Sequence, residues 1–286
     1  MKFRFADIQF HNKCNRECWF CPPQCKNKPK KILFMEETTL RRIIDFIKYL
    51  DNNKMINGIM SICTNRYNEP FCYPDLYIKY ISIISKELKN NNAVIGCNTN
   101  GDYLNSDILE KIIEHIHHIT VSLYDLDVVG AMKFVSDVFK DLPEITNFFI
   151  KKETKEIIFE YKKVNVIIKF NRNKTIKDIV RSRGSILQTN YLRKEKCSVV
   201  GNMLAIDLDG SISPCCDLYK DNVEHKNAFD YININEFNNK DLIEKIETTF
   251  LQFKNNTLCN DSCKHCSSTE DNSMGKKIEL YDVGDL

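Results

Sequence analysis

The sequence has almost no charge excess of either sign, no long apolar run and no internal repeat, and each absence closes off a class of protein. Its 41 basic and 39 acidic residues leave a formal net charge of +2, without the positive surplus that phosphate neutralisation brings to nucleic-acid binders. Nucleic acid is therefore not expected as a partner. No apolar stretch approaches the roughly 18 residues of a membrane span, and the opening MKFRFADIQF carries charges where a signal peptide needs an apolar core. No membrane partner is expected. Asparagine and lysine are abundant but spread along the chain, which reads as compositional bias rather than a functional tract. The length of 286 residues fits one or two domains.

What the chain does have is 13 cysteines, an odd number that a fully paired disulfide framework would not accommodate. Without an export signal the expected location is cytoplasmic, where thiols stay reduced. Cysteine clusters there read as metal ligands.

Strand and helix signals alternate along the first two thirds of the chain. Phe3 to Phe10 has the aromatic and β-branched texture of a strand, and Glu36 to Leu50 repeats Leu40, Ile43, Ile44 and Ile47 at helical spacing. Ile56 to Cys63, Ala93 to Cys97 and Ile119 to Leu123 follow as strands, separated by helices at Pro74 to Leu88 and Asp107 to Ile116. Between Val128 and Lys163 the pattern loosens: Asp141-Leu142-Pro143 breaks a helix, and two lysine-flanked segments can pair as a hairpin. Val164 to Phe170 and Ile179 to Leu187 complete about six strands. The expected fold class is α/β, a partial (β/α)6 TIM barrel over residues 1–192, with its chemistry at the carboxyl ends of the strands. A small α+β domain is expected over 193–286, built on a Met203 to Ser213 hairpin turning at Asp209-Gly210 and a helix from Ile234 to Phe253.

Cys14, Cys18 and Cys21 form C-x3-C-x2-C in the loop after the first strand. Closed structural zinc sites take four ligands, usually from two pairs, whereas three close thiolates suit an iron–sulfur cubane with one open iron. Zinc remains the bland alternative. The motif resembles the hallmark of the radical S-adenosylmethionine (radical SAM) superfamily, with Phe20 as the aromatic before the last cysteine. The resemblance implies a 4Fe–4S cluster whose open iron is chelated by S-adenosylmethionine, reductive cleavage of the sulfonium, and a 5′-deoxyadenosyl radical that removes a hydrogen atom from substrate.

Further elements fall where that family has them. Asn68-Glu69-Pro70 resembles the Gly-Gly-Glu-Pro element whose acidic residue takes the S-adenosylmethionine ammonium, with Tyr67-Asn68 standing in place of the glycines. Asn98-Thr99-Asn100-Gly101 resembles Thr-Asn-Gly after the third strand, Ser122 a fourth-strand serine, and Arg183-Gly184 an arginine element near the sixth strand. The resemblance thus implies cofactor contacts from Phe20, Asn68, Glu69, Asn100, Ser122 and Arg183.

A second thiol set comprises Cys197 and Cys215, separated by 17 residues, and the late C-x2-C of Cys263 and Cys266. Four thiolates suit either an iron–sulfur cubane or structural zinc. The arrangement resembles the twitch domain, the shortened SPASM form, which implies one auxiliary 4Fe–4S cluster. Cys216 and Cys259 are left over, and Cys259 competes for a place among the four. Cys63, Cys72 and Cys97 lie near strand ends; they read first as small buried hydrophobes, and second as hydrogen-atom donors like those of family members that epimerise peptide residues.

The expected function is hydrogen abstraction from a polar metabolite of sugar or aminocyclitol type, a small-molecule substrate, with a ribosomally made peptide as the rival. Little sequence precedes the first strand, which leaves no room for a leader-peptide-binding domain and weighs against the peptide. The expected electron donor is a reductant such as flavodoxin or ferredoxin, docked by the lysine run from Lys26 to Lys31. A non-catalytic metal-binding module is the reading from another class.

Overall fold

The computed structural model describes residues 1–18, 21, 31–139, 144–171, 197, 199–216 and 232–254. In chain order the elements are β1 (Phe3–Ile8), α1 (Glu37–Asn52), β2 (Ile56–Cys63), a 3₁₀ turn (Pro70–Cys72), α2 (Pro74–Glu87), β3 (Ala93–Thr99), α3 (Ser106–Ile112), β4 (His118–Leu123), α4 (Val128–Val138), β5 (Ile145–Lys151), β6 (Glu156–Tyr161), β7 (Val164–Phe170), β8 (Met203–Ile206), β9 (Ser211–Ser213), β10 (Ile232–Asn233) and α5 (Asn239–Lys254).

Among the described residues, all ten strands join one sheet in the order β10-β9-β8-β1-β2-β3-β4-β7-β6-β5. The run from β8 to β7 is parallel throughout, and antiparallel ribbons extend both edges. This is the α/β, mostly parallel sheet of a partial barrel. Helices cross between its strands because their apolar residues recur on one face. On α1, Leu40, Ile43, Ile44, Ile47 and Leu50 are buried, each contributing about 1.5–3 kcal/mol relative to exposure. On α2, Tyr77, Tyr80, Ile81 and Ile84 face the same core, and Pro74 occupies the helix's first turn, where a missing N–H is harmless.

Several boundaries differ from the sequence expectation for identifiable reasons. The first strand ends at Ile8; beyond it Phe10 stays buried, its carbonyl accepting from the Met35 amide at 2.8 Å. The last helix starts five residues later than expected, at Asn239. Asn238 accepts from the amides of Lys240 and Asp241 at 3.0 Å, an N-cap that sets the start. Upstream of it, Ile232–Asn233 pairs with β9 as a strand. The anticipated hairpin between Val128 and Lys163 is β5–β6, preceded by α4. The hairpin at Asp209-Gly210 is β8–β9, with Gly210 at φ +85°. The expected strand from Ile179 to Leu187 lies outside the described residues. Beside β1, the parallel neighbour opposite β2 is β8, so the segment after residue 197 extends the barrel sheet directly.

Candidate active site

Four strand ends deliver the polar residues. The loop after β1 carries Cys14, Cys18 and Cys21, the loop after β2 carries Asn65 to Glu69, β3 runs into Thr99 and Asn100, and β4 carries Ser122 before Tyr124. Cys14, Arg16, Cys18, Cys21, Asn65 to Glu69, Asn98 to Asn100, Ser122 and Tyr124 line one cavity of about 230 Å³. Chain reversal after β3 requires Gly101: its φ is +82°, and an added Cβ would lie 2.8 Å from Leu123 and 2.9 Å from Val121.

Glu69 is 2% exposed. Its Oε1 accepts from Thr99 Oγ1 at 2.6 Å and from the Phe71 amide at 3.3 Å, and its Oε2 accepts from the Asn100 amide at 2.8 Å. Burial nevertheless lifts its pKa to about 7, against the pull of those three donors. Next to it, Asn68 accepts from the Arg66 amide and sits 3.3 Å from His11 Nε2. Burial holds that histidine's pKa down at about 4.

The cysteine loop is tied to the strand ends through residues the sequence reading passed over. Arg16 donates to both carboxylate oxygens of Asp102, at 2.7 and 2.6 Å, and to Asp125 at 2.9 Å, and it lies over the Tyr124 ring. Asn15 bridges Asp102 at 2.6 Å and Asn100 at 2.8 Å. The available signal was a basic residue inside the cysteine motif together with aspartates just after the third and fourth strands.

Residues 8–141 match the family model described as the Radical SAM superfamily. The chain carries a radical SAM domain. Among solved structures, BtrN in complex with AdoMet and 2-DOIA matches with a TM-score of 0.62 at 18% identity, covering 98% of each chain. Native anSMEcpe with bound AdoMet matches with a TM-score of 0.50 at 16% identity, covering 93% of this chain and 91% of that one. At these identities the likeness is one of fold. No curated protein matches the sequence.

In the radical SAM domain the three loop cysteines and Glu69 line one cavity. Among the described residues no three His, Cys, Asp or Glu side chains are gathered as for a single metal ion. A cubane spreads its thiolates over separate irons and does not need them to meet at one point. The donor set, three partly buried thiols beside one buried carboxylate, fits a 4Fe–4S cluster and a cationic ligand, the pair this family implies. Burial, foremost, and then the nearby Glu69 and Cys18 charges raise the Cys14 thiol pKa, so ligation rather than the protein alone would hold it as thiolate.

The other sequence candidates separate clearly. Cys97 is fully buried against the Tyr77 hydroxyl on α2 and is not among the residues that line the cavity. Cys63 pairs in register with Gly96 and accepts from Asn98 Nδ2 at 3.0 Å, beside a cavity residue. Cys72 ends the 3₁₀ turn, and burial pushes its thiol up to about 12. Cys197 is buried, and Cys215 packs partly buried on the same core. Phe20, Arg183, Cys259, Cys263, Cys266 and the lysine run except Lys31 lie outside the described residues. Among the described residues, no helix is long and apolar enough to cross a membrane.

Arg66 was also unmarked in the sequence. It is buried at the cavity wall, ion-paired with Asp207, with Nη2 donating to Ser213 Oγ at 3.0 Å and to the Cys215 carbonyl at 3.2 Å. Nothing in residues 64–69 alone announces that partner.

Proposed function

We propose that this chain is a radical SAM enzyme that removes a hydrogen atom from a small polar metabolite of sugar or aminocyclitol type. The observation that carries the reading is one cavity holding Cys14, Cys18 and Cys21 together with Glu69 and the ends of β3 and β4. When bound and reduced, a 4Fe–4S cluster on these three cysteines supplies the electron that splits S-adenosylmethionine into methionine and the 5′-deoxyadenosyl radical.

The chain's own residues bind and orient. Glu69 accepts the ammonium of S-adenosylmethionine, its position set by Thr99 and the Asn100 amide. Asn68, Asn100 and Ser122 supply polar contacts from three separate strand ends. Asn65 and Asn98 add further polar groups to the cavity lining, which gives a hydrophilic substrate hydrogen-bonding partners. Cys197 and Cys215, with Cys263 and Cys266, are our candidate ligands for an auxiliary 4Fe–4S cluster of twitch type that takes or relays an electron. The external reductant is of the flavodoxin or ferredoxin kind.

The test is anaerobic reconstitution, reduction, and measurement of 5′-deoxyadenosine with candidate substrates bearing deuterium. Deuterium transfer from a labelled polar metabolite is the expected result, and transfer from a labelled peptide would move the reading to peptide maturation. Absence of 5′-deoxyadenosine from a sample with about four irons on the first site would refute the enzyme reading and favour a metal-binding module.

A further inference from the structure

We propose that Arg66, paired with Asp207, is a positioning residue that couples the Cys215–Cys216 segment to the Asn68–Glu69 loop, so that affinity for S-adenosylmethionine depends on how the second cysteine segment is held. The proposal rests on reading the cavity as the S-adenosylmethionine site.

The loop from Asn65 to Glu69 is gripped from two directions. On the cavity side, Asn65 Oδ1 accepts from the Asn98 amide at 2.8 Å, the Arg66 amide donates to Asn68 Oδ1 at 3.2 Å, and the Glu69 amide donates to the Lys13 carbonyl at 3.0 Å. On the other side, the Arg66 guanidinium reaches Asp207, Ser213 and the carbonyls of Cys215 and Cys216. Tyr67, whose ring lies under that guanidinium at 5.0 Å, donates its hydroxyl to the Cys216 carbonyl.

Asp207 is fixed in turn. Its amide donates to the Ser211 carbonyl at 2.8 Å, and its carbonyl accepts from Gly210 at 2.9 Å. It also directly follows Ile206, which pairs with Ile8 of β1. The Arg66 and Asp207 side chains are 1% and 7% exposed, so water neither screens nor replaces the link. Movement of the carbonyls at 215 and 216 must be taken up by Arg66 and Tyr67, two and one residues from Asn68 and three and two from Glu69. A coupling of this kind is reciprocal: a ligand at either end alters affinity at the other.

The experiment measures the S-adenosylmethionine Kd by equilibrium dialysis on the reconstituted full chain, with KM and kcat for 5′-deoxyadenosine, the reduced-cluster EPR signal and the melting temperature alongside. The variants are Arg66→Lys, Cys215→Ala, the double variant Arg66→Met/Asp207→Leu, and the combination of all three substitutions in that double variant and Cys215→Ala. Removing both buried charges together avoids leaving one unpaired, so the double variant is expected to fold. Its Kd and KM should rise roughly tenfold, within the usual range of coupling between sites, with the EPR signal retained. Cys215→Ala should weaken binding in the wild-type background and add little in the double variant, because the link is already cut.

An unchanged Kd in a double variant that melts and gives EPR like the wild type overturns the proposal. So do effects of Cys215→Ala and the double variant that simply add. Should the double variant fail to fold, Arg66→Lys decides, since it keeps the charge and loses the planar fork; unchanged Kd and KM there refute the coupling. Wild-type protein that binds no S-adenosylmethionine removes the cavity reading and this inference together, whereas binding that every variant matches removes the coupling alone.

Discussion

Glu69→Gln should strengthen the fold while weakening the site. Burial displaces the Glu69 pKa from 4.5 to about 7, so the ionised form destabilises the folded chain by roughly 3 kcal/mol. The sign follows from the direction. Below pH 4.5 folded and unfolded states are both protonated at this position and no penalty exists. As pH rises from 4.5 to about 7 the unfolded state loses its proton first, stability falls, and above that range the full penalty remains. Glutamine removes the charge and keeps most of the geometry. Its carbonyl oxygen accepts from the Asn100 amide, its NH2 group donates to a rotated Thr99 hydroxyl, and only the long 3.3 Å bond from Phe71 is lost, at a cost of about 1 kcal/mol. The net gain in metal-free protein at pH 8 is therefore about 2 kcal/mol, read by denaturant titration. At pH 4 the gain should disappear. In reconstituted protein the same substitution deletes a charge-assisted hydrogen bond to an ammonium, and S-adenosylmethionine should bind about 10- to 150-fold more weakly. A variant no more stable than wild type at pH 8, or one whose advantage is independent of pH, would refute the reasoning about the buried carboxylate. Unchanged S-adenosylmethionine affinity would refute its proposed role.

Gly96→Ala places a Cβ 1.8 Å from His118 Nε2 across the β3–β4 ladder and should cost about 1–3 kcal/mol by overpacking; thermal melts should show the loss and its rescue by adding His118→Ala. Cys97→Ala should lower stability by about 1 kcal/mol yet leave 5′-deoxyadenosine and product formation unchanged, since that thiol is in the core with Tyr77; loss of product with 5′-deoxyadenosine retained would contradict this. Arg16→Gln releases the cysteine loop from Asp102 and Asp125, and iron should leave the reconstituted protein faster under chelator challenge, with little change in melting temperature because the pairs are partly exposed.

Parallel strands and their helices were legible because burial imposes a strong pattern on them: α1 repeats its apolar residues at helical spacing, and β7 alternates buried with less buried positions. The β6–β7 turn was harder to read because it breaks the usual residue rule. Lys162 and Lys163 sit at φ 47° and 69°, where two-residue hairpins ordinarily place asparagine or glycine. The cysteine loop and Glu69 were legible because chemistry restricts the residue types there. Arg66 and Arg16 were not, since a guanidinium looks the same in sequence whether it faces solvent or a carboxylate 141 or 86 residues away. Long-range partners of that kind depend on the sheet order, in particular on β8 lying beside β1.

Charge around the cavity adds a constraint on what completes it. Arg66 is matched by Asp207, and Arg16 faces two carboxylates, Asp102 and Asp125. Glu69 is held by neutral donors: a threonine hydroxyl and two backbone amides. Those bonds fix its position without neutralising it, and its raised pKa expresses the deficit. Thiolates on Cys14, Cys18 and Cys21 would add to the negative charge. A neutral or anionic ligand would leave that imbalance in place, whereas an ammonium on Glu69 relieves it and restores the carboxylate to its ordinary ionised form. The site as folded therefore favours a cation, or a proton, at Glu69, and under the proposed function the amino group of S-adenosylmethionine would supply that cation.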